Sequence, residues 1–161
     1  MNPLRVHKKL SEEHIHLDQS SKMRNHLAED VLDGDMLRLM LAYQREKCEN
    51  GSYLSGTIQL LTQTSRLVRI FGDMRPVKDT SDPRLTELSE VLHWFVEWEN
   101  GIAKKSDVSA KTKQRCLPSV ECMFDLKACI IGFQQICLHH LKETCHAPIR
   151  SEERRVGKEC R

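Results

Sequence analysis

Cys137-Leu138-His139-His140, followed by Cys145-His146, is the densest run of metal-ligating side chains in the chain. Two thiols and several imidazoles within ten residues could hold zinc. Their spacing argues against it. His140 lies three residues after Cys137 and can share its face, but Cys145 needs a further turn and a half. No second Cys or His arm of zinc-site spacing occurs elsewhere, so no metal site is expected. His14-Ile15-His16 is a weaker pair still. A Cys–His nucleophile needs a nearby base and a third, orienting group, and no signature surrounds any Cys or His here. Neither common phosphate-binding loop is present, nor H-E-x-x-H, nor G-x-S-x-G. No catalytic residue is expected. One charged run stands out. Residues 101–118 hold Lys104, Lys105, Lys111, Lys113 and Arg115 against a single Asp107. Such a run is either a solvated loop or a contact for phosphates.

The elements that would position these residues are helical. The chain has 161 residues, enough for one domain with a real core. At 30% charged and 39% hydrophobic it has a globular composition rather than that of a disordered chain. No window reaches 18 uncharged apolar residues, so no membrane span is expected. The N-terminus lacks the apolar core of a secretory signal. Cys122, Cys129, Cys137 and Cys145 follow one another at intervals of 7, 8 and 8 residues, near one face of a helix. Neighbours at that spacing are about 10 Å apart by helical rise, too far for a disulfide. They read as small hydrophobes in a reducing compartment, which implies an intracellular protein.

Apolar residues recur at helical spacing, and the fold class expected is all-α, a bundle of about five helices. The first runs from Pro3 to His14, with Pro where its missing N–H costs nothing. The second starts at Ser20 or Ser21, carries Met23, Leu27, Val31, Leu37 and Leu41, and ends before Asn50-Gly51. Gly34 either bends it or splits it. The third begins near Thr57, with a stripe of Leu60, Leu61, Thr64, Leu67, Val68 and Phe71, and stops at Gly72. Residues 72–82 form a loop. Asp82 then caps a fourth helix with Pro83 at its first position. It buries Leu85, Leu88, Val91, Leu92, Phe95 and Trp98 and ends at Asn100-Gly101. The fifth runs from Ser119 to Thr144. It is apolar on nearly every side between Met123 and Leu141, so it is either central in a bundle or packed against further protein.

Two resemblances add to this reading. Arg150-Ser151-Glu152-Glu153-Arg154-Arg155-Val156-Gly157-Lys158-Glu159-Cys160-Arg161 resembles, codon by codon, the in-frame translation of a common sequencing adapter. Residues 150–161 are therefore expected to be a non-native tail, with the natural reading frame cut at or near Ile149. The chain's net charge of +2 sits in that tail, which carries five basic and three acidic residues. The other 149 residues balance, so any polyanion contact must come from local clustering.

The second resemblance covers most of residues 5–149. Lys9-Leu10-Ser11-Glu12-Glu13-His14-Ile15, Ser21-Lys22-Met23-Arg24 and Leu27-Ala28-Glu29-Asp30-Val31-Leu32 are similar to the segment that opens the helical insertion of P-element-like and THAP-domain transposases. Ser65-Arg66-Leu67-Val68-Arg69-Ile70-Phe71 resembles the family's next conserved helix, and Leu85 to Trp98 the one after. Phe124-Asp125-Leu126-Lys127-Ala128-Cys129-Ile130-Ile131-Gly132-Phe133 is similar to the helix that leads back to the catalytic fold.

That resemblance implies a fragment of a DNA-cutting and DNA-joining enzyme with an RNase H-like core. There, three acidic residues hold two metal ions, Mg2+ in the parent, for in-line attack on phosphodiesters. Two of those acids precede the helical insertion and the third follows it in a "D..E.FF"-like motif. No such motif occurs here, and Asp73, Asp79 and Asp125 do not match it, so the fragment itself is expected to be inactive. In the P-element branch the insertion is GTP-binding, through an "FD..N" element. This chain has Phe71-Gly72-Asp73-Met74-Arg75 at that place, with Asp shifted by one and Asn absent. Phe71 and Asp73 are the candidate nucleotide-binding residues, the first for stacking and the second for the guanine donors. Lys104, Lys105, Lys111, Lys113 and Arg115 are the candidate DNA contacts. Implied partners are transposon DNA and the rest of the catalytic fold, in a nuclear and possible oligomeric parent. The reading from a different class is a helical protein–protein interaction module.

Overall fold

The computed structural model describes residues 10–47 and 51–143. Among them the structure is all-helical, with α1 Asn25–Leu32, α2 Gly34–Lys47, α3 Ser55–Phe71, α4 Pro83–Lys104, α5 Ala110–Arg115 and α6 Val120–Glu143. Short 3-10 turns occupy Glu12–His14, Ser21–Met23 and Gly51–Leu54. No helix among the described residues is long and apolar enough to cross a membrane. The chain divides into two compact units between Ile70 and Phe71.

In the first unit the expected opening helix does not continue through its described end. Ser11 is extended, at φ −125° and ψ 175°, which no α-helix passes through. Residues 3–9 lie outside the described residues. The expected serine cap is also replaced. Asp18 accepts the backbone N–H of Ser21, and α1 begins after an extended Arg24 that caps nothing with its side chain. The long second helix is split, and Asp33 splits it. Its ψ of 178° ends α1, and its Oδ1 accepts the backbone N–H groups of Asp35 and Met36 at 2.9 and 3.0 Å. Two otherwise orphaned donors of α2 are thereby satisfied. A Cβ on Gly34 would meet nothing within 4 Å, so no close approach demands glycine there.

α3 starts two residues earlier than its periodicity predicts. Leu61, Thr64, Leu67 and Ile70 are its buried positions. Thr64 is the polar member of that stripe. Its Oγ1 lies 3.2 Å from the carbonyl oxygen of Leu32, at the end of α1, and 3.1 Å from that of Leu60. One hydroxyl proton thus serves a carbonyl of its own helix and an orphan carbonyl of α1.

In the second unit Asp82 caps α4 as expected, accepting from the Arg84 N–H at 2.9 Å, with Pro83 at the first helical position. α4 buries Leu85, Leu88, Val91 and Phe95, while Leu92 and Trp98 are only partly covered. It does not stop at Asn100-Gly101 but runs on to Lys104. Gly101 is a poor helix former, yet nothing there requires the left-handed conformation that would end a helix. The region expected to be a loop contains α5, capped by Ser109 Oγ, which accepts from Thr112 N at 3.3 Å.

α6 packs antiparallel on α4. Gln134 Nε2 donates to the Leu85 carbonyl and to Ser89 Oγ, each at 2.8 Å, and Lys127 pairs with Glu99 at 2.7 Å. Met123, Ile130, Phe133 and Cys137 form its buried side. α6 is not enclosed, however. Val120, Phe124, Ile131 and Ile136 stay exposed. The cysteines do not share one face either. Cys122 and Cys129 are exposed and Cys137 is buried. A step of eight residues turns a helix about 80° past two full turns, which carries Cys137 round to the core. Cys145 and the tail at 150–161 lie outside the described residues.

Candidate functional site

The charged run resolves into a basic knob. α4 ends at Lys104, residues 105–109 turn the chain, and α5 brings Lys111, Lys113 and Arg115 back beside that end. Lys113 makes the connection. Its Nζ donates to the carbonyl of Ala103 at 2.7 Å, so α5 is tied to the last turn of α4. That carbonyl is one of the four a helix C-terminus leaves without a partner. Lys113 is therefore occupied in holding the knob together. Lys104, Lys105, Lys111 and Arg115 are exposed, and among the described residues no carboxylate pairs with them. Two of them close α4 and the others ride on α5 near its C-terminus, where the helix dipole favours cations. Four solvated cations on a short, tethered scaffold form a surface suited to phosphodiesters.

The two residues matched to the guanine site are arranged for packing and pairing. The Phe71 ring meets the Phe133 ring edge-on, 5.4 Å between centroids. It is half-buried rather than an open stacking platform. Asp73 takes a fork of bonds from Arg75, at 2.7 to 3.1 Å, and lies 3.5 Å from the Arg84 guanidinium. Its acceptors are already engaged.

Arg84 is the hub of this cluster, and sequence patterns did not single it out. It pairs with Asp82 at 2.6 Å and donates to the carbonyls of Arg75 at 2.6 Å and Pro76 at 3.0 Å. The loop 72–82 is thus strapped to the first turn of α4. The Arg75 guanidinium holds the Asp73 carboxyl far below the usual carboxylate range, with the Arg75 backbone N–H adding to it. Arg84 likewise lowers Asp82, against a smaller opposing effect of burial. Both native values are depressed, so both carboxylates stabilise the fold fully above their ordinary pKa near 4, and that stability is lost as pH falls below it. Melting temperature should therefore drop steeply from pH 4 downward. Asp73→Asn should flatten the drop in a series of thermal melts; an unchanged profile would show that the cluster contributes no pH dependence.

Two further features came from the structure alone. A cleft of about 370 Å³ between the start of α2 and α3 is lined by Asp33, Asp35, Arg38, Ser65, Arg66 and Arg69. Three guanidiniums face two carboxylates there, and Asp35 pairs with Arg38. The second is a Ser11–His14–Asp30 line. Ser11 Oγ lies 3.1 Å from His14 Nδ1, and His14 Nε2 lies 3.6 Å from Asp30 Oδ2. Its resemblance to a nucleophilic triad ends at the proton. The backbone N–H of Ser11 donates to Nδ1 at 3.0 Å, so that lone pair is not available as a base for the hydroxyl. The hydrogen is then assigned to Nε2, facing Asp30. His16 is exposed and does not join it.

His139 and His140 are exposed while Cys137 is buried, and Cys145 and His146 lie outside the described residues. Among the described residues no group of three or more His, Cys, Asp or Glu is placed to hold a metal ion. Comparison with protein-family models, with curated proteins and with solved structures returns no match.

Proposed function

We propose that this chain is a helical DNA-contacting piece of a transposase of the P-element/THAP-like kind, and that the α4–α5 knob grips the phosphodiester backbone. The observation that carries this reading is the knob itself: four exposed cations gathered at one helix end, in a chain whose charge otherwise balances. An all-helical chain is consistent with an insertion domain of such an enzyme. Cutting and joining would belong to the parent's acidic residues and Mg2+, in the nucleus, and not to this chain. No step is routed through metal here, since the described residues offer no set that fits a metal pair. Guanine nucleotide stays outside the proposal because Asp73 has its acceptors engaged by Arg75.

Two experiments test it. Duplex DNA titrated into the protein should bind in the range of about 10⁻⁴ to 10⁻⁶ M at physiological salt, as sequence-independent backbone contacts do. Replacing Lys104, Lys105, Lys111 and Arg115 by Ser should lower the slope of log affinity against log salt by about 3 to 4, near 0.9 for each phosphate no longer neutralised. An unchanged slope removes the knob from the interface. Genomic sequence extended beyond the codon for Ile149 should show the "D..E.FF"-like motif within a few dozen codons. An open frame lacking it there, and lacking two acids upstream, would exclude the transposase.

A further inference from the structure

α6 keeps two apolar sides, and only one of them faces its own chain. Met123, Ile130 and Cys137 recur every seven residues and are buried on the side that carries the α4 contact. A second column with the same period, Phe124, Ile131 and Leu138, lies beside it. Phe124 is 68% exposed and Ile131 45%, and Val120 extends the column by a turn at 74%. A strict seven-residue apolar period is the signature of a helix that pairs with another helix along a left-handed seam. The column from Phe124 to Leu138 spans about 21 Å at 1.5 Å per residue.

The column flanking this seam identifies the partner. Glu121, Ala128, Gln135 and Lys142 also recur every seven residues, along the edge of the exposed stripe. Flanking columns of this kind set partner choice and orientation in paired helices. Reversed, this column reads Lys, Gln, Ala, Glu. An antiparallel copy of α6 therefore sets Glu121 against Lys142 of the partner subunit, and Lys142 against Glu121 of the partner subunit. Ala128 faces the longer Gln135 of the partner subunit. The apolar column closes on the same axis, with Ile131 meeting its counterpart and Phe124 meeting Leu138 of the partner subunit. A parallel copy would set Glu against Glu and Lys against Lys.

We infer that the exposed face of α6 is a homodimer interface, in which two copies pair antiparallel about a two-fold axis at Ile131. Each copy contributes an α4–α6 pair, and the dimer is a four-helix bundle. This does not depend on the transposase reading, since the seam lies on α6 and the basic knob on α4 and α5.

Sedimentation velocity on the full chain over a range of concentrations tests it. The wild type should dimerise as concentration rises. Ile131→Glu places two carboxylates at the axis and should leave a monomer with an unchanged helical spectrum. Because Ile131 is partly covered, the rim supplies an independent test. Glu121→Lys alone and Lys142→Glu alone should each weaken the dimer about tenfold, as both symmetry-related pairs become repulsive. The two changes together should restore it. A chain that stays monomeric at every concentration overturns the inference. So does a dimer that survives Ile131→Glu, or single charge changes that the double change does not rescue.

Discussion

Arg84→Met should destabilise the second unit by about 3 kcal/mol, read as a lower urea midpoint at an unchanged slope. The Arg84 side chain is only 11% exposed, as is Asp73, and Asp82 is 13% exposed. One guanidinium serves both carboxylates and the carbonyls of Arg75 and Pro76. Removing it leaves two partly buried anions without their main counter-charge and two carbonyls without a donor. That asymmetry makes the effect large, because a broken pair costs more than an intact pair contributes. Arg84→Lys should recover less than half of the loss. An ammonium keeps the charge, but it cannot hold the carboxylate in a planar fork and reach two carbonyls as well. A midpoint for Arg84→Met within the error of wild type would mean that the loop 72–82 is held by something else, with buried Val77 the first alternative.

How much of this was legible in the sequence depends on how local the cause is. Asp82-Pro83 announced the start of α4 because a cap and a proline act within one turn. The body of α6 was legible because its apolar run is long. Asp33 was not legible as a break. Val31, Leu37 and Leu41 keep helical spacing across it, and only the backbone shows that its carboxylate binds two amide groups ahead of it. A side chain that competes for the backbone in this way leaves the periodicity almost intact. Gly101 misled in the opposite direction. Glycine after an apolar stripe reads as a stop, yet α4 continues for one more turn, and that turn carries Lys104 and the Ala103 carbonyl that Lys113 uses.

The candidate site follows the same rule. The five basic residues were legible as a run, because composition alone shows them. Their division of labour was not: Lys113 is a tether and the other four are solvated, and only the fold of α5 back onto α4 separates the two roles. Arg84 was passed over because its partners Arg75 and Asp73 stand nine and eleven residues earlier, across a loop without periodicity. The signal that could have found it is the alternation of charge in Asp73-Met74-Arg75 and Asp82-Pro83-Arg84, two Asp-x-Arg steps bracketing the loop. The Ser11–His14–Asp30 line shows the reverse hazard. Its residue types and distances suit chemistry, and a single backbone N–H assigns the imidazole to structure instead.

Phe95→Ala should cost about 3 to 5 kcal/mol, the largest effect of any single apolar truncation in α4. Phe95 is 2% exposed and sits between Leu88 and Val91, both fully buried, on one side and the two tryptophans on the other. Its ring lies 5.0 Å from Trp94, nearly perpendicular, and 6.2 Å from Trp98. Alanine would remove the ring's burial and leave a cavity that helical backbone on both sides cannot close. Set against a typical domain stability of about 5 to 15 kcal/mol, the loss leaves a protein close to its unfolding threshold. Phe95→Leu should cost much less, about 1 to 2 kcal/mol, because it keeps most of the buried volume. Trp94 and Trp98 are the chain's two tryptophans, so their fluorescence reports this site directly during urea unfolding. A Phe95→Ala midpoint matching that of Phe95→Leu would show that the site collapses around the gap. The α4–α6 interface would then be more plastic than its close packing implies, and the antiparallel pairing of α6 with a second copy would rest on a yielding base.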